Sequence, residues 1–131
     1  MDNFNINFLM TFNGQTQSYK ATEFKKNKEM FRISFPCADD SGISYTITVL
    51  NKQKVTLACS GAISYSIPLE QNKKTRFLLS LYGSEIDCEV FCQSLSIFIS
   101  NGKINVKGRY KLNLSDTVND YVFTLGGSYD N

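Results

Sequence analysis

The chain has 131 residues, of which 42% are apolar and 20% are charged, and its formal net charge is +2. This length fits one domain, and the apolar fraction excludes a disordered chain. No stretch reaches the ~18–20 consecutive apolar residues of a membrane-spanning helix. The chain has no His and no Trp. The Ser-His-Asp and Cys-His arrangements and all His-containing metal sites are therefore excluded.

The four cysteines are Cys37, Cys59, Cys88 and Cys92. The N-terminal residues lack the basic and apolar regions of a secretory signal, so we expect a cytoplasmic protein with free thiols. Cys88 and Cys92 would lie about 13 Å apart on a strand, too far for a disulfide or for one metal ion to bind both thiolates directly. We therefore predict small, buried apolar residues rather than redox or metal chemistry, and no metal site.

Apolar and polar residues alternate with a period of two along nearly the whole chain, which is typical of strands with one buried face. Asn-Gly pairs at 13–14 and 101–102 predict tight hairpin turns. Strand is favoured over helix at 73–82, although its apolar residues are continuous enough to leave helix as an alternative. The predicted strands are 4–12, 17–26, 31–35, 43–49, 55–61, 63–69, 73–82, 86–92, 95–99, 103–115 and 120–126.

These nine to eleven strand segments leave no room for the crossover helices that parallel strands need, so the sheet should be antiparallel. So many sequential strands must hide their edges, and a closed barrel suits a regular meander better than a sandwich. We predict an all-β fold, an antiparallel up-and-down β-barrel of about 8–10 strands. Residues 1–126 should form a single β-barrel domain, and 127–131 a C-terminal tail.

Three segments carry a resemblance to a known family: VTLACSG at 55–61, SLYG at 80–83 and GKINVKGRYKL at 102–112. With them, the chain resembles the YwiB-like family of uncharacterised bacterial proteins. The resemblance implies a calycin-type, lipocalin-like β-barrel. The chain differs from the family pattern at Cys59, where Arg is usual, and at Ser80-Leu81, where Thr-Pro is frequent. Because the family has no established activity, the resemblance implies no catalytic residue.

Two acidic clusters are candidates for cation binding. Asp39 and Asp40 lie in the segment CADDSG, where Asp side chains stabilise a turn by bonding to their own backbone. Glu85, Asp87 and Glu89 share one face of a predicted strand, and they would need ligands from other strands to hold a metal ion. We interpret the first cluster as a turn and the second as a solvated face.

Basic residues form a row at Lys107, Arg109 and Lys111. A single-stranded nucleic acid needs aromatic rings beside such cations, but Tyr110 points to the opposite face of the strand. We therefore expect no nucleic-acid partner. A nucleophilic thiol needs a neighbouring base, and without His only a carboxylate or Lys is available. We predict that the protein is not an enzyme and has no catalytic residues.

Tyr45, Tyr65 and Tyr110 lie in phase with the aliphatic residues of their strands. A buried tyrosine hydroxyl needs a partner, which a ligand in a barrel can supply. Gly108 leaves a gap in the same apolar face, either as part of a cavity wall or as a bend that closes the barrel. We predict a non-enzymatic protein, without a cofactor, that binds a small apolar ligand through these three tyrosines. The alternative is a packed barrel that serves as a protein-interaction or structural module, and oligomeric state is left open.

Overall fold

We analysed a computed structural model of the chain, which describes residues 3–35, 43–114 and 116–130. Within these residues the protein is all β, with eleven strands and no helix. The strands are β1 (Phe4–Phe12), β2 (Gln15–Lys20), β3 (Glu23–Lys26), β4 (Met30–Phe35), β5 (Ser44–Leu50), β6 (Lys54–Ser60), β7 (Ile63–Glu70), β8 (Lys74–Leu81), β9 (Ser84–Ser100), β10 (Lys103–Leu114) and β11 (Thr117–Tyr129). The predicted turn at CADDSG, with Cys37, Asp39 and Asp40, lies outside the described residues.

The strands form one antiparallel sheet with the order β2-β1-β11-β10-β9-β8-β7-β6-β5-β4-β3. Apart from the step between β1 and β11, each strand pairs with its neighbour along the chain, which is an up-and-down meander. The predicted fold class is confirmed. Strand β8 also confirms strand rather than helix at 73–82.

The two ends of the sheet meet because β2 and β3 are consecutive in the chain. The amide of Ala21 donates to the carbonyl of Ile6 on β1, at 2.9 Å, and the amide of Thr22 donates to that of Ser34 on β4, also at 2.9 Å. Residues 15–20 therefore pair with β1 and residues 23–26 pair with β4. This change of partner brings the two ends of the sheet together, so the sheet curls into a barrel. Ring contacts cross this seam between Phe8 and Phe35, with centroids 5.9 Å apart.

Two expectations from the sequence were wrong at this seam and beside it. The strand predicted at 17–26 is two strands, because the chain changes its pairing partner at residues 21–22. The tail predicted at 127–131 was also wrong, since β11 runs to Tyr129, which pairs with Phe4. Gly127 has a φ of +154°, and a side chain there would collide with the backbone of Asn5. The glycine thus permits close approach of two paired strands instead of ending one.

Within the described residues, three hairpins use two-residue turns in which both residues have a positive φ, as the right-handed twist of paired strands favours. The predicted turns at Asn13-Gly14 and Asn101-Gly102 are confirmed. The third turn is Tyr82-Gly83, with φ values of 49° and 90°. Only its glycine was recognisable in the sequence as a turn residue.

One half of the barrel interior is densely packed. Its centre holds aliphatic side chains that are at most 2% exposed, among them Val49, Val55, Leu69, Ile104 and Leu125. Four aromatic rings close this end through contacts between centroids 5.0–6.0 Å apart. These rings belong to Phe4, Phe24, Phe31 and Tyr129.

The other half, called the wide half below, contains a cavity, and β7 and β8 diverge in its wall. They pair only at Ile63 with Leu81 and at Ser64 with Ser80. Beyond these pairs, the turn after β7 binds to β9 instead, where the amide of Asn72 donates to the carbonyl of Cys92 at 2.9 Å. Both strands contribute side chains to the wall of this cavity, which is the candidate site.

Candidate ligand-binding cavity

A cavity of about 300 Å³ lies in the wide half of the barrel. Its wall is built mainly from the inward faces of nine strands, because alternation turns every second side chain inward. Aromatic and aliphatic side chains predominate, among them Phe8 and Phe35. Strands β7 and β8 contribute Tyr65, Ile67, Phe77 and Leu79 from the region where they diverge.

The structure brings together the three tyrosines that the sequence singled out. Tyr45, Tyr65 and Tyr110 all line this cavity. Tyr45 and Tyr65 are the cross-strand partners of Cys59 on its two sides. Tyr110 lies on the opposite side of the barrel, on β10, and is 2% exposed. Their role in binding a ligand stays a prediction.

Two further tyrosines, Tyr19 and Tyr121, line the cavity and were not predicted as site residues. The Tyr121 ring stacks on that of Tyr110, with centroids 5.2 Å apart and an angle of 10°. The Tyr19 ring contacts that of Tyr45 at 5.9 Å. Tyr121 was detectable in principle, because it alternates in phase with Phe123 and Leu125 on β11.

The hydroxyl of the buried Tyr110 has a sulfur atom as its partner, and the half-buried Tyr65 lies beside another. The Tyr110 hydroxyl donates to Sδ of Met10 over 3.9 Å. The Tyr65 side chain lies beside Cys59, its cross-strand partner, whose S–H donates to the carbonyl oxygen of Ile63 at 3.3 Å. Sulfur is a weak acceptor compared with oxygen. These two hydroxyls therefore keep much of their capacity to donate to a ligand.

The environment of the cavity keeps these tyrosines neutral. Burial raises the pKa of Tyr65 and of Tyr110 far above the ordinary tyrosine value, because the phenolate form would be poorly solvated. Repulsion from neighbouring tyrosines raises both pKa values further. Burial also raises the pKa of Tyr121. The cavity thus offers protonated hydroxyls as donors.

Gly108 is not part of the cavity wall. A side chain at this position would meet the ring of Phe123, whose Cζ lies 2.6 Å from where a Cβ would stand. The gap that the sequence predicted in the apolar face of β10 is therefore filled by an aromatic ring from β11. The φ of Gly108 is not in the left-handed region, so close packing explains the glycine.

The acidic face predicted on β9 takes part in ion pairs on the barrel exterior. Asp87 pairs with Arg76 at 2.7 Å, and Glu89 lies 3.6 Å from Lys74. Across the residues that the structure describes, no group of three or more acidic or cysteine side chains is placed to hold a metal ion. The basic Lys107 side chain is exposed on the face opposite Tyr110.

The three cysteines within the described residues are free thiols. Cys59, Cys88 and Cys92 are all buried, so their predicted burial is confirmed. Burial raises the pKa of each thiol above its ordinary value.

None of the described elements is a helix of the length and apolarity needed to cross a membrane.

A curled, antiparallel meander with one packed half and a cavity in the other defines an all-β, up-and-down barrel protein. The chain belongs to the family described as domain of unknown function DUF1934, whose model matches residues 10–125. It is similar in fold to the ywiB protein from Bacillus subtilis, whose crystal structure it matches with a TM-score of 0.71 at 11% identity. That match covers 99% of this chain and 92% of the other. No curated protein matches the chain.

Proposed function

We propose that this protein binds a small, mainly apolar ligand in the cavity of its barrel, in the cytoplasm, without acting on it chemically. The observation that supports this proposal is the cavity of about 300 Å³ lined by aromatic and aliphatic side chains. Its volume lies at the lower end of the range typical of ligand pockets, ~300–1,000 Å³. The buried free thiols fit a reducing compartment.

The contrast between the two halves of the barrel argues against a purely structural role. Native interiors rarely contain voids much larger than a water molecule, because the atoms around a void lose their dispersion contacts. The described residues fill one half of the barrel with buried side chains and surround a cavity in the other half. A ligand would restore the lost contacts. A fully packed interaction module does not need such a cavity, which costs dispersion contacts.

The lining residues also favour binding over catalysis. Protonated tyrosines, a thioether and hydrocarbon side chains provide no general base at neutral pH. The buried Cys59 thiol, with its raised pKa, is a poor nucleophile. The described part of the cavity can orient a ligand and exclude water from it.

The test uses two tryptophan variants at neighbouring positions. Because the chain has no Trp, each variant carries a single indole fluorophore. Leu79→Trp places the indole in the cavity wall, whereas Leu78→Trp places it on the outer face, where Leu78 is 57% exposed. Both proteins and the wild type are titrated with Nile red, a neutral apolar dye.

We expect Nile red to bind wild type and Leu78→Trp equally, and Leu79→Trp about tenfold more weakly, since overpacking a site costs ~1–3 kcal/mol. Energy transfer from the indole to the dye should be strong in Leu79→Trp and weaker in Leu78→Trp. If wild type binds no Nile red or other apolar probe, the proposal is wrong. Equal binding by both variants would place the dye elsewhere and would also contradict it.

A further inference from the structure

We propose that the natural ligand is electrically neutral and carries an oxygen acceptor, such as a carbonyl, ester or ether oxygen, for the hydroxyls of Tyr65 and Tyr110. This inference rests on the proposed function. It goes beyond an apolar ligand by assigning the charge of the molecule and the kind of polar group that it presents to the barrel.

The absence of charge in the wall excludes an ionic ligand. Among the described residues that line the cavity, none is Asp, Glu, Lys or Arg. The free energy cost of burying a carboxylate or an ammonium group is large unless a charge of opposite sign is beside it. A fatty acid would find no cation there, and an amine would find no carboxylate. A neutral ligand avoids this cost.

The pairing of the two hydroxyls indicates which polar group the ligand carries. The Tyr110 hydroxyl has Met10 Sδ as its acceptor at 3.9 Å, and Tyr65 lies beside the Cys59 thiol on the neighbouring strand. An oxygen of the ligand is a stronger acceptor than either sulfur atom. Exchanging sulfur for oxygen would strengthen the hydrogen bond of a donor that is already desolvated.

The two hydroxyls also flank the cavity, because Tyr65 is on β7 and Tyr110 is on β10. The Tyr110 ring stacks on that of Tyr121, and all three tyrosines line the same cavity. A ligand oxygen within this cluster would face hydroxyl donors on two walls. The remaining wall is mainly aromatic and aliphatic, with Gln17 and Thr46 adding polar groups, so most of the rest of the ligand should be hydrocarbon.

The test compares three ligands that share ten carbons and a phenyl ring. Butyrophenone carries a carbonyl, butylbenzene carries no acceptor, and 4-phenylbutyrate carries a carboxylate. Each competes with Nile red on wild type, on Tyr65→Phe, on Tyr110→Phe and on the control Tyr82→Phe. Tyr82 is 80% exposed and does not line the cavity.

We expect butyrophenone to bind most tightly and 4-phenylbutyrate at least about tenfold more weakly than butyrophenone. Tyr65→Phe and Tyr110→Phe should each weaken butyrophenone about two- to tenfold, the usual value of one hydrogen bond, and leave butylbenzene unchanged. Tyr82→Phe should match wild type with all three ligands.

The outcomes separate the two proposals. If 4-phenylbutyrate binds as tightly as butyrophenone, the inference on charge is wrong while the binding function stands. If both Phe variants retain the wild-type preference for butyrophenone over butylbenzene, the hydroxyls are not the donors and the inference is wrong. If none of the ligands and no dye binds, the proposed function fails as well. The ligand series on wild type decides the charge question even if a Phe variant does not fold.

Discussion

The ring of Phe123 fills the space that a side chain at Gly108 would need. The two residues are directly opposite each other on β11 and β10, and both are buried. A Cβ at residue 108 would stand 2.6 Å from Cζ of Phe123. Phe123 in turn contacts the rings of Phe8 and Tyr110, so it has little freedom to move away.

Substitution of Gly108 should therefore overpack the barrel. We expect Gly108→Ala to lower the free energy of unfolding by ~1–3 kcal/mol. The matched control is Gly126→Ala, at a strand glycine where a Cβ would meet only the carbonyl oxygen of Ile104, at 3.8 Å. This control should be neutral or stabilise by ~0.4–1 kcal/mol, because Ala restricts the unfolded chain. Urea unfolding of the three proteins measures both changes.

A second substitution tests the cause. Phe123→Leu shortens the side chain opposite residue 108, so Gly108→Ala should cost less in that background than in wild type. Equal costs in both backgrounds would show that the Phe123 ring is not the obstacle. The same conclusion would follow if Gly108→Ala were no more destabilising than Gly126→Ala.

The faces of the strands were predictable because alternation is a local property of the chain. The alternation of apolar and polar residues predicted that Tyr45, Tyr65 and Tyr110 face inward. In the structure all three line one cavity. The two Asn-Gly turns were predictable for the same reason, since a two-residue turn depends only on its own residues.

The errors concern features that depend on distant partners. The break at Ala21-Thr22 exists because the chain moves from β1 to β4, and no pattern within 17–26 records that exchange. The gap at Gly108 is filled by a residue 15 positions later, and Gly127 is needed because β1 lies against it. The divergence of β7 and β8, which both line the cavity, likewise depends on their contacts with β9.

The segment predicted as a tail should contribute strongly to stability. Tyr129 is 8% exposed and contacts the rings of Phe24 and Phe31 at the closed end of the barrel. We expect Tyr129→Ala to lower the free energy of unfolding by ~3–5 kcal/mol, as for other large aromatic side chains in cores. Tyr82→Ala, on an exposed turn, should change it by less than ~0.5 kcal/mol. Similar unfolding curves for the two variants would contradict the packing described for β11.

The buried thiols should resist modification in the folded protein. Cys59, Cys88 and Cys92 are buried, and burial raises the pKa of each, so little thiolate is present or accessible at neutral pH. In a Cys37→Ser variant we expect slow reaction with Ellman's reagent at pH 7.5 and rapid reaction of three thiols in 6 M guanidinium. The measurement is the absorbance of the released thiolate. Rapid labelling of a native thiol would show that the barrel opens at that cysteine.

Alkaline pH should destabilise the protein through Tyr110. Burial holds the pKa of Tyr110 in the folded protein well above ~10, its value in an unfolded chain. Below pH 10 the phenol is protonated in both states and the effect is absent. As the pH rises above 10, only the unfolded chain ionises at this residue, so the free energy of unfolding falls.

Tyr110→Phe removes this ionisation. Between pH 9 and pH 11, the variant should lose about 1.4 kcal/mol less stability than wild type, since pH 11 lies one unit above the unfolded pKa. Tyr82→Phe removes a tyrosine whose side chain is 80% exposed, and it should follow wild type. Urea unfolding at the two pH values gives these differences, and the other titrating groups cancel because all three proteins share them. If Tyr110→Phe lost as much stability as wild type, the Tyr110 hydroxyl would have to be accessible to water in the folded barrel.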